Sequence, residues 1–86
     1  MNKTVTIEEL KRVVKNIIRE ARELPYSDVK FESIEREDDK YKISGVYEYR
    51  ALFTGDIIEA GEFEIVLDKN LEIVSVKIFP KTERSK

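Results

Sequence analysis

The sequence predicts an α+β domain: one N-terminal helix packed across a four-stranded antiparallel meander sheet, in the order α-β-β-β-β. Between Ile7 and Leu24 the apolar residues recur every three or four positions, the period of a helix with one face on a core. From Val29 to Phe79 they recur every second position in four separate runs, the period of strands. Short polar turns at Glu37-Asp38-Asp39-Lys40, Thr54-Gly55-Asp56 and Asp68-Lys69-Asn70 divide those runs. A chain of 86 residues holds one core, so residues 1–86 are read as a single domain.

Thr6 followed by Glu9 is a capping-box pattern, and Val5 and Leu10 are spaced as a hydrophobic staple. The helix is therefore expected from Ile7 to Leu24, with Leu10, Val13, Val14, Ile17, Ile18 and Ala21 in its apolar stripe. Pro25 ends it, because proline disfavours helix at the preceding residue and has no N–H to donate.

The first strand is expected at 29–36. Val29 and Phe31 share one parity and Ile34 has the other, which predicts an edge strand with a bulge or an early end. The second is expected at 41–53, with Tyr41, Ile43, Gly45, Tyr47, Tyr49, Ala51 and Phe53 facing the core. The third runs over 57–67, where Phe63, Ile65 and Leu67 face the helix and Ala60-Gly61 supplies a bulge or kink. In the turn after it, Asp68 is expected to bond backbone two residues on, and Asn70 to tolerate the left-handed conformation. The fourth strand is expected at 71–79, ahead of a polar, basic, frayed tail at 81–86.

A single helix covers one face of a sheet, and the even positions of the long strands include Val46, Leu52, Ile58, Ala60 and Val66. In the fourth strand Val74, Val76 and Ile78 have one parity while Leu71, Ile73 and Phe79 have the other, so one set faces away from the helix. Val46, Leu52, Ile58, Val66, Ile73 and Phe79 are thus the candidate interface, and a homodimer or a protein partner is the expected occupant. Tyrosines and long charged stems covering the same residues would instead leave a monomer.

Composition narrows the chemistry. With no cysteine and no histidine, the chain lacks thiolates and the usual general base and metal ligand. Glu48, Glu59, Glu62, Glu64 and Glu72 offer carboxylates but no ligand spacing, and Lys or Arg on facing strands would pair with them as naturally. Neither a glycine-rich phosphate loop nor a nucleophile elbow is present. The expectation is a protein that is not an enzyme and takes no cofactor or metal, and no small-molecule substrate is identified from the residues.

Lys11, Lys15, Arg19 and Arg22 lie on the outer helix face and are the candidate anion-binding set, the basis of an alternative reading as a binder of nucleic acid or another anionic partner. Residues 1–24 hold six basic and four acidic side chains while the whole chain is at -2, so a solvated face explains the lysines and arginines better. Aromatic stacking on RNA is disfavoured, because Tyr41, Tyr47, Tyr49 and Phe53 have the core-facing parity. With no apolar leader and no run of about eighteen apolar residues, the expected location is cytoplasmic, without membrane contact. The richness in Lys, Glu and Ile, with a single Met, matches thermophile composition.

The helix, the segment Val29-Lys30-Phe31-Glu32-Ser33-Ile34, the segment Tyr41-Lys42-Ile43 and the stretch from Gly61 to Val76 together resemble the PepSY family of small propeptide-like domains. Its recurrent piece, an aromatic strand ending in an Asp-containing turn before a strand of Val-type residues, is matched by Phe63 to Val76, although Leu71 stands where that family has glycine. Members are commonly exported, unlike the expectation here. The strand pair is also similar to that of the gas-vesicle accessory protein O family. Both resemblances imply binding, inhibitory or assembly roles and no catalytic residues.

Overall fold

The structure, a computed structural model, describes residues 5–82. It has one helix, α1 (Ile7–Arg22), followed by strands β1 (Asp28–Glu37), β2 (Lys40–Arg50), β3 (Ile57–Leu67) and β4 (Ile73–Thr82). The strands form one antiparallel sheet in the order β1-β2-β3-β4, so every pairing joins consecutive strands. The predicted α-β-β-β-β architecture is the one observed.

The capping box forms as the sequence predicts. The Glu9 backbone N–H donates to Thr6 Oγ1 at 3.1 Å, and the Thr6 N–H donates to Glu9 Oε1 at 3.0 Å. Leu10, Val14 and Ile18 are the buried positions of α1, each contributing roughly 2 kcal/mol of burial. Ile7 and Ala21 lie outside the buried stripe and are exposed. The helix ends two residues earlier than expected, because Glu23 turns left-handed at φ 56 and Leu24 donates back to the Arg19 carbonyl at 2.8 Å. Leu24 is nevertheless buried in the core.

β1 carries the bulge that its mixed parity predicts. Its register shifts between Phe31 and Ser33, which makes Glu32 the extra residue and brings Ile34 opposite Ile43. Four rows then cross the helix-facing side: Val29–Tyr47–Gly61–Pro80, Phe31–Gly45–Phe63–Ile78, Ile34–Ile43–Ile65–Val76 and Arg36–Tyr41–Leu67–Ile73. Ile43, Tyr47, Phe63, Ile65 and Leu67 from this side close the core with the helix. β4 changes parity at its register shift: Val76 and Ile78 pack on that core, Ile73, expected on the open face with Phe79, stands opposite Leu67 in the helix-facing row, and Phe79 pairs with Glu62 on the opposite face.

Five expectations need correction. β2 stops at Arg50 rather than Phe53, because the Ala51 N–H donates to the Asp56 carbonyl and the Gly55 N–H to the Ala51 carbonyl, closing a loop with Gly55 at φ 77. Phe53, expected in the core, is 100% exposed at the apex of that loop. In the β3–β4 turn the left-handed residue is Leu71, at φ 64, and not Asn70. The Asp68 side chain does bond the Asn70 N–H as expected, and it also bonds the Glu72 N–H. This is a three-residue hairpin loop whose last residue is left-handed, so β4 begins at Ile73 instead of Leu71. β4 also continues through Pro80, which an edge strand accommodates, to Lys81 and Thr82, whereas residues 83–86 of the expected tail lie outside the described residues.

Candidate interaction surface

The face of the sheet opposite α1 is covered by no other element among the described residues. The register places Lys30, Val46, Glu62 and Phe79 in one row across it, Ser33, Ser44, Glu64 and Lys77 in the next, and Glu35, Lys42, Val66 and Ser75 in a third. Acidic and basic side chains alternate around an apolar minority. Lys81 Nζ donates to Glu62 Oε2 at 2.6 Å and Lys42 Nζ lies 3.3 Å from Glu64 Oε2, so each carboxylate has a cation from a neighbouring strand. Both pairs are exposed to water and hold the face in register more than they stabilise it.

Of the six candidate interface residues, Val46 and Val66 are half-buried on this face and Phe79 is half-exposed on it. Ile58 falls at the register shift opposite Tyr49 and Arg50 and is half-buried. Ile73 pairs with Leu67 at the start of the β4 edge and is exposed. Leu52 lies beyond the sheet in the β2–β3 loop, 81% exposed. The structure therefore puts Val46 and Phe79 in one row of this face, sets Val66 two rows away across the polar row of Ser44 and Glu64, and separates Leu52 and Ile73 from all three.

A concavity of about 410 Å³ opens on the same face. Val46 and Ala60 lie in it, with Asp28, Glu48, Glu62 and Lys81 around them, and its wall is mostly apolar. Two residues beyond Glu48, Arg50 braces the adjoining loop: its Nε donates to Glu48 Oε1 at 2.7 Å and its Nη1 to the Gly55 carbonyl at 2.7 Å. The Tyr26 hydroxyl donates to the Arg50 carbonyl, and its ring meets Tyr49 edge-on with centroids 5.0 Å apart. Leu52 and Phe53 are thus presented on a loop tied at its base.

The anion-binding set is split. Lys11, Lys15 and Arg19 are exposed along α1, but Arg22 Nε donates to Glu59 Oε2 at 2.6 Å. Glu59 is fully buried, and the same oxygen accepts from the Tyr47 hydroxyl at 2.7 Å. The bond to Glu59 raises the Arg22 guanidinium above its ordinary value, and burial, followed by that same carboxylate, pushes the Tyr47 phenol up. Sequence reasoning placed Arg22 and Glu59 in separate clusters. Their partnership was signalled by parity: Glu59 shares the odd, core-facing register of Phe63, Ile65 and Leu67, where a carboxylate demands a cation. The remaining carboxylates do not converge, and no group of three or more potential metal-ligating side chains occurs among the described residues.

No described helix is long and apolar enough to cross a membrane. No family model, curated protein or solved structure matches this chain.

Proposed function

We propose that this chain is a non-catalytic interaction module that associates with a second copy of itself through the face of the sheet opposite α1. One observation carries the reading: that face holds an apolar-walled concavity around Val46 and Ala60, together with Val66 and Phe79, and no other described element covers it. The ion pairs Lys81–Glu62 and Lys42–Glu64 lie among these apolar residues, so the face mixes polar and apolar surface as a non-obligate interface does. The parallel reading as an anion binder is weaker, because Arg22 is engaged with Glu59. Sedimentation equilibrium at micromolar concentrations tests the proposal. A dimer that Val66→Asp or Val46→Asp dissociates is the expected result, and a strict monomer overturns it.

A further inference from the structure

We draw no further inference here: the strongest candidate, the free edge of β4 with Ile73, Val74 and Phe79 exposed along it, is interrupted by the register shift between Ile73 and Ser75, by Lys77 and by Pro80, and nothing in the structure shows what covers it.

Discussion

Phe31 and Phe63 meet edge to face across Gly45, with ring centroids 6.2 Å apart and planes at 70°, although their strands are not neighbours in the sheet. Gly45 stands between them in the same row, so the rings close over a position with no side chain. The bulge at Glu32 draws the β1 backbone over the same spot: a Cβ on Gly45 would lie 2.1 Å from the Lys30 carbonyl oxygen. Because that neighbour is backbone, relief requires moving a strand. We predict that Gly45→Ala destabilises the fold by about 3 kcal/mol, the upper end of overpacking costs. Urea denaturation checks it, and a loss under about 1 kcal/mol would show that β1 yields easily.

The bond from Arg22 to Glu59 ties the last turn of α1 to β3. Removing the cation leaves a carboxylate with no exposure to water, so Arg22→Ala is expected to cost about 3 kcal/mol. Tyr47→Phe, which removes one donor to the same oxygen, is expected to cost about 1–2 kcal/mol. Denaturation of the two variants measures both. Equal, small losses would mean that the tie contributes little.

Stability should also depend on alkaline pH through Tyr47. Its phenol titrates higher folded than unfolded, since burial and the Glu59 carboxylate both oppose the phenolate. The contribution is therefore complete below the unfolded value of 10.0 and is lost as pH rises from there toward the folded value. Wild type should lose stability over that window while Tyr47→Phe stays flatter. An ultraviolet difference titration between the two proteins isolates this phenol, and ionisation at its ordinary value would refute the expectation.

Two left-handed residues invite opposite outcomes. Glu23, at φ 56, is exposed, so Glu23→Gly should stabilise by about 1 kcal/mol by relieving its Cβ. Leu71, at φ 64, packs against the core, so Leu71→Gly relieves a similar cost and loses a comparable amount of apolar contact, for a net change near zero. Thermal melts of the two variants separate the cases. A matching gain in both would show that Leu71 contributes no packing.

These features differ in how far the residues alone reveal them. The capping box, the bulge in β1 and the Asp68 turn were legible because each is a local contest among neighbouring groups, decided within a few residues. The end of β2 was not. Ala51 and Phe53 keep the parity of Tyr47 and Tyr49, and alternation records which side a residue takes but not where the hairpin closes. Phe53 was thus read into the core when it sits at the apex. The partnership of Arg22 with Glu59 was half legible. Parity marks Glu59 as inward, but choosing its cation requires knowing which turn of the helix crosses β3, a matter of packing rather than pattern.

That tie also bears on the order in which the molecule assembles. Each strand pairing closes through a short local turn, whereas Arg22 reaches a residue 37 positions away. Hairpins with nearby ends form at little loop-closure cost, and a distant contact has to wait until its platform exists. The helix is accordingly expected to dock late, on a sheet already paired, with Arg22→Ala speeding unfolding and leaving the refolding rate almost unchanged. The same side chain that secures the finished fold is then a latch closed after the crossing of the main barrier, and it sets how long the native state lasts more than how fast it is reached.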